Sequence, residues 1–109
     1  MVYDERLADR VRELLEVDAG FTERKMFGGI AFMLDGHMCC GVVGDELMLR
    51  LGPDGADEAL ERRHVRPMDF TGRPMSSMVF VNPEGLRRAS LRPWVEQAVA
   101  FARTLPPKR

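Results

Sequence analysis

The residue types best suited to chemistry lie together in the segment 32–43, FMLDGHMCCGVV, which holds both cysteines of the chain and one of its two histidines. Thiolates and imidazoles bind zinc, and a cysteine beside a histidine can act as a nucleophile. His37, Cys39 and Cys40 could therefore form a metal or thiol site. Alternatively, they are residues of a β-sheet, and the strand register decides between the two.

Two tight turns are predicted around the cysteines. Asp35-Gly36 is typical of a two-residue type I′ turn, and Gly44-Asp45 suits a type II′ turn with glycine first. The strands between and beside these turns are predicted at about 30–34, 37–43 and 46–51. The sequence therefore predicts two consecutive β-hairpins.

Pairing outward from these turns places residue 31 opposite 40 and residue 32 opposite 39, with alternate side chains on opposite faces. One face is apolar throughout, and we expect the helices to cover it: Ala31, Met33, Met38, Cys40, Val42, Leu47, Leu49 and Leu51. The other face is mixed and consists of Ile30, Phe32, Leu34, His37, Cys39, Gly41, Val43, Glu46, Met48 and Arg50.

This register predicts that Cys39 and Cys40 point to opposite sides of the sheet, so they should not bind one metal ion together. Cys40 is interpreted as a small core residue. His37 and Cys39 share a face, but two ligands do not make a zinc site, and we find no orienting group or oxyanion-hole motif beside them. A structural role is favoured, and neither a metal nor a cofactor is predicted. The enzymatic alternative uses Cys39 with His37, or Asp69 near Arg73 in a polar loop.

The mixed face is too apolar to remain open to water, so we expect another part of the chain or a partner to cover it, and we slightly favour a partner. The partner would be a regulator or a second copy of the chain. This leading hypothesis predicts that Phe32→Glu dissociates a complex and leaves the monomer folded. The candidate interaction face consists of Phe32, His37, Cys39, Met48 and Arg50.

Helices are predicted at both ends of the chain and in its middle. Asp4 suits the N-cap of the first, whose inward stripe is Leu7, Val11, Leu14 and Leu15. A short helix is expected near 53–63, with Ala56, Ala59 and Leu60 inside. The last helix begins at Ser90, and its inward stripe is Leu91, Trp94, Val95, Ala98, Ala102 and Leu105.

Further strands are expected at 22–27 and 75–81, with an irregular connection over 65–74. The predicted fold class is α+β, in two layers, within a single domain over residues 1–109. An antiparallel meander sheet carries the N-terminal, C-terminal and short middle helices on one face. The start of the chain lacks a secretory pattern and no apolar run is long enough to cross a bilayer, so we expect a cytoplasmic protein.

Charge is unevenly distributed along the chain, although the net charge is −1. Residues 1–61 carry 6 basic and 14 acidic side chains, and residues 62–109 carry 10 basic and 3 acidic ones. Mutual neutralisation of the two halves is the favoured interpretation. Nucleic-acid binding by the basic half is a weaker alternative. Its candidate residues are Arg62, Arg63, Arg66, Arg73, Arg87, Arg88 and Arg92.

Several segments together resemble the N-terminal domain of the TfoX/Sxy family of bacterial competence regulators, over about residues 3 to 107. The most specific is KMFGG, which comprises Lys25, Met26, Phe27, Gly28 and Gly29, and it is supported by MDF at 68–70 and GRPM at 72–75. The resemblance implies an α+β fold and a cytoplasmic role in regulating transcription of DNA-uptake genes, by assisting another regulator. It brings no catalytic residues and no cofactor. Full-length family members carry a second, C-terminal domain. From the resemblance of this N-terminal segment we therefore expect a regulatory or interaction function, rather than the competence role itself.

Overall fold

The computed structural model describes residues 3–17, 20–26, 28–69 and 74–106, with the backbone alone at 69, 74, 75 and 88. In this part of the chain the helices are α1 (Glu5–Leu15), α2 (Gly52–Leu60) and α3 (Leu91–Ala102). Short 3-10 helices at Pro83–Leu86 and Arg88–Ser90 lead into α3. The strands are β1 (Phe21–Met26), β2 (Gly29–Leu34), β3 (His37–Val43), β4 (Glu46–Arg50), β5 (Val65–Asp69) and β6 (Pro74–Val81).

These strands form one antiparallel sheet in the order β1-β2-β3-β4-β6-β5. The first four follow each other as a meander, and β6 lies between β4 and β5. The buried residues of all the described helices belong to the core on one side of the sheet. The predicted two-layer α+β fold class is therefore confirmed.

The predicted turns are confirmed by the backbone angles. Asp35 and Gly36 both have positive φ, 51° and 85°, as a type I′ turn requires. Gly44 has a φ of 58° at the first position of the second turn. Glycine and aspartate tolerate these angles better than other residues, so short-range chemistry fixes both hairpins.

The first helix also follows its prediction. The Asp4 side chain accepts hydrogen bonds from the backbone N–H groups of Arg6 and Leu7, at 3.0 and 3.1 Å. Ser90, by contrast, makes no capping hydrogen bond, because its backbone is already helical where the preceding 3-10 turn runs into α3. Leu60 is 37% exposed rather than inside, since α2 ends there and its contact with the sheet is made by alanines.

The connection at 65–74 was predicted to be irregular, but its first part is the edge strand β5. Val65 pairs with Val81, and Arg66 pairs with Phe80. Pro67 is tolerated because an edge strand has a partner on one side only. Proline in β5 and exposed charged residues in the opposite edge strand β1 both discourage pairing with another chain.

One extra residue in β3 changes the sheet decisively. Met33 pairs with Met38 as predicted, but Phe32 pairs with Cys40, so Cys39 is left over as a β-bulge. Beyond the bulge, β3 pairs with β4 in the predicted register, with Cys40 opposite Leu49. A single inserted residue reverses the alternation of side chains, so every β2 residue lies on the face opposite to the predicted one.

The sheet consequently has two buried clusters. The large core under the helices contains Ile30, Phe32 and Leu34 of β2, which were predicted to lie on the mixed face. Ala31, Met33 and Met38 were predicted under the helices, and they lie on the other face instead. The second cluster occupies that other face and consists of Met48, Met68, Met78 and Phe80, with Met38 and Val43 packed against it.

Candidate functional site

The five residues of the predicted interaction face do not form one exposed surface. Phe32 and Cys39 are fully buried in the core under the helices, and the Phe32 ring stacks on Phe21 with centroids 5.9 Å apart. Met48 is on the predicted face but is also fully buried, in the second cluster. The bulge and the methionine side chains bury these three positions within the chain itself, so the slightly favoured prediction that a partner covers them is wrong.

The two polar members of that face have partners within the chain. The His37 ring Nε2 lies 2.5 Å from the carbonyl oxygen of Pro106, just after α3. The guanidinium carbon of Arg50 lies 5.8 Å from the centre of the Phe101 ring in α3. Both side chains therefore fasten the end of α3 to the sheet.

The bulge also brings the two cysteines together. Cys39 and Cys40 both belong to the core under the helices, so the prediction that they point to opposite sides is wrong. A hydrogen bond with the Cys39 side chain, together with burial, raises the pKa of the Cys40 thiol well above its ordinary value of 9.0. The thiolate is the reactive form of cysteine, so this environment holds Cys40 in its unreactive form at neutral pH.

The enzymatic and metal alternatives gain no support from this arrangement. Across the described residues, no group of three or more histidine, cysteine, aspartate or glutamate residues could hold a metal ion. His37 is engaged by Pro106, and Cys39 has no exposed surface. The Asp69 side chain and Arg73 lie outside the described residues.

The segment that carried the family resemblance forms the β1–β2 hairpin. Lys25 and Met26 end β1, Gly28 has a φ of 74° in the turn, and Gly29 begins β2. A side chain at Gly29 would collide with the backbone oxygen of Val42. The glycines are therefore required by the turn and by close strand packing, while Phe27 lies outside the described residues.

The basic second half is not one continuous surface. Arg66 lies on the face of the sheet that carries the second cluster, which we call the methionine face. One of its guanidinium nitrogens is 2.6 Å from a Glu46 carboxylate oxygen, and its guanidinium carbon is 4.5 Å from the Phe80 ring centre. Arg92 lies 3.9 Å from Glu96 on α3, and Arg87 is exposed. Arg62 and Arg63 line a common depression beside the start of α3. The Arg88 side chain, like Arg73, lies outside the described part.

The exposed apolar surface lies elsewhere, between α1 and α3. Val17, just after α1, is 87% exposed, more than any other large apolar side chain in the described residues. It borders a groove with a volume of about 310 Å³. We call this the α1–α3 groove; it is lined by Leu14, Val17, Arg92, Val95, Glu96, Val99 and Ala100. The sequence did not lead us to predict this groove, although an apolar residue just after the apolar stripe of α1, Val17, indicated it.

The fold and this surface define a two-layer α+β domain with an apolar groove between its terminal helices. The model of the family described as the TfoX N-terminal domain matches residues 13–102. The chain therefore belongs to the TfoX N-terminal domain family, a family of competence-related regulatory domains. No curated protein matches the chain. Among the described helices, none combines the length and apolar character needed to cross a bilayer.

Proposed function

We propose that this chain is a non-enzymatic regulatory domain, linked to transcriptional control of competence, that acts by binding a protein partner. Membership of the family supports a regulatory role. The buried cysteines and the raised pKa of the Cys40 thiol favour this role over thiol chemistry.

The observation that carries the proposal is the apolar side chain of Val17 at the rim of the α1–α3 groove. The Val17 side chain is 87% exposed, so its burial by a partner would lower the free energy of the complex. Leu14 and Val99 are half-buried beside it and extend the apolar surface. Removal of this surface from water is the main driving force of most protein association.

The occupant that we propose is an amphipathic helix of the partner protein. A groove between two helices suits the helix-in-groove mode, in which apolar residues on one helix face enter the groove. Arg92 and Glu96 are each 66% exposed at its edge and offer one positive and one negative charge. These charges would fix the orientation of the partner helix more than its affinity.

Val17→Glu tests the proposal, with Leu60→Glu as the matched control. Both changes place a carboxylate on an exposed apolar position, and Leu60 lies on α2, away from the groove. The free energies of unfolding of both variants should lie within about 0.5 kcal/mol of the wild-type value, because substitutions at exposed positions have small effects on stability. Each is returned to its native host in place of the deleted gene.

We expect deletion to change a coherent set of transcripts, including those of any DNA-uptake genes. Leu60→Glu should restore these transcripts and retain the captured partner, whereas Val17→Glu should do neither. Equal restoration and equal capture by the two variants would contradict the proposal. Capture of a second copy of the chain, rather than a different protein, would show that the groove forms a homodimer and would contradict a heterologous partner.

A further inference from the structure

A second surface, unconnected with the α1–α3 groove, lies between the end of α2 and the start of α3. It is a depression with a volume of about 670 Å³. Its lining includes Arg62, Arg63 and His64, just after α2, and Ser90, just before α3. We call it the basic depression, and its chemistry differs from that of the apolar groove.

The arginine fork of Arg62 is held in place by an aromatic ring. Its guanidinium carbon lies 4.2 Å from the ring centre of Trp94, which is itself only 5% exposed. Stacking on an indole orients the planar guanidinium, so less side-chain entropy is lost when the fork binds an anion. The neighbouring Arg63 is exposed and makes no ion pair with the described residues.

His64 adopts a backbone conformation that non-glycine residues rarely adopt, with a φ of 71°. Its carbonyl oxygen accepts a 2.8 Å hydrogen bond from the backbone N–H of Asn82. Glycine at 85 leaves room for it, because a Cβ there would lie 2.9 Å from the His64 Cβ. Such a conformation persists only where its surroundings enforce it, and here they hold the imidazole beside the arginines.

Positive charge is concentrated at this end of the molecule. Residues 61–64 and 84–90 carry four arginines and two glutamates, a net charge of +2, so the rest of the chain carries −3. Glu61 and Glu84 line the depression together with Arg62 and Arg63, so the excess of positive charge comes from Arg87 and Arg88 in the adjoining segment. A near-zero net charge therefore conceals a basic end that can attract a polyanion.

We propose that the basic depression binds the phosphate backbone of a nucleic acid without regard to base sequence. Arginine forks bind phosphate oxygens bidentately, and serine hydroxyls are common phosphate donors. The Ser90 hydroxyl makes no hydrogen bond that caps α3. Trp94 is buried beneath Arg62 and cannot serve as a platform for bases, so the contacts are confined to the backbone.

Fluorescence polarisation with labelled duplex and single-stranded DNA of about 20 nucleotides tests this proposal. With two arginine–phosphate contacts, at Arg62 and Arg63, duplex affinity should fall about 12-fold between 50 and 200 mM salt. Arg63→Glu should weaken binding at least about 10-fold and reduce the slope of log affinity against log salt by about one.

Arg24→Glu is the matched control, because Arg24 is an exposed arginine on the far edge strand β1 and undergoes the same charge reversal. It should bind nearly as the wild type does, and circular dichroism should show both variants folded. Absence of binding at 50 mM salt, or an equal loss with Arg24→Glu, would overturn the proposal. Neither result bears on the α1–α3 groove, so the two proposals can fail separately.

Discussion

Replacing Phe32 with alanine tests the bulge at Cys39 directly. Phe32 is fully buried under the helices because the extra residue in β3 reverses the faces of β2. Its neighbour Met33 lies on the other face and is only half-buried. If pairing continued without the bulge, their positions would be exchanged, with Met33 in the core and Phe32 outside.

The expected magnitude follows from burial. A buried phenylalanine removes about 150–250 Å² from water, and truncation to alanine costs about 3–5 kcal/mol, including the cavity left behind. We expect about 4 kcal/mol for Phe32→Ala. For Met33→Ala we expect about 1 kcal/mol, because part of that side chain is already in water.

Urea unfolding measures both losses. Trp94, the single tryptophan, is buried in α3 and reports the transition by fluorescence. With an m-value of about 1.5 kcal/mol/M, Phe32→Ala should lower the midpoint by about 2.7 M. If that variant does not fold, Phe32→Leu should lower it by roughly 1 M and keep the comparison measurable. A larger loss for Met33→Ala than for Phe32→Ala would refute the bulged register.

Three further predictions concern the cap of α1, the buried thiol and the packing of the methionine face. Asp4→Ala should cost about 1 kcal/mol and lower Tm by roughly 4–8 °C, whereas Asp4→Asn, which keeps an acceptor, should change little; equal losses would argue against the cap. The folded-state pKa of Cys40 is raised, so the stability that the protonated thiol contributes is complete below about pH 9 and falls as pH increases, by up to about 1.4 kcal/mol per pH unit. Unfolding between pH 8 and 10 should show a steeper loss for the wild type than for Cys40→Ala, and parallel curves would contradict the shift. Gly41→Ala should cost about 1–3 kcal/mol, because its Cβ would lie 2.6 Å from the Ile30 carbonyl oxygen and 2.8 Å from the Met48 Cε. Adding Met48→Ala should relieve only the second contact, which a double-mutant cycle would detect as partial coupling, and additive losses would contradict it.

The interaction surface predicted from the sequence differs from the one proposed from the structure, and the difference has a physical reason. Strict alternation placed Phe32 and Met48 on one sticky face, and this face became the predicted interaction surface. In the structure Phe32 is buried in the core under the helices and Met48 in the second cluster. Both side chains therefore stabilise the fold and are not available to bind a partner. The usable exposed apolar surface is at Val17, which has no strand pattern to reveal it.

The amino-acid sequence by itself determined the features that depend on near neighbours. Backbone conformation at Asp35, Gly36 and Gly44 fixed two hairpins, a side-chain oxygen at Asp4 began a helix, and 3.6-residue periodicity selected the buried stripes. Only the tertiary structure decided the bulge at Cys39, because it resolves a competition between distant segments. The turn alone favours a register in which Ala31 and Met33 face the helices. Burial of Ile30, Phe32 and Leu34 under the helices lowers the free energy of the fold more. One inserted residue in β3 keeps the turn and also buries these three side chains.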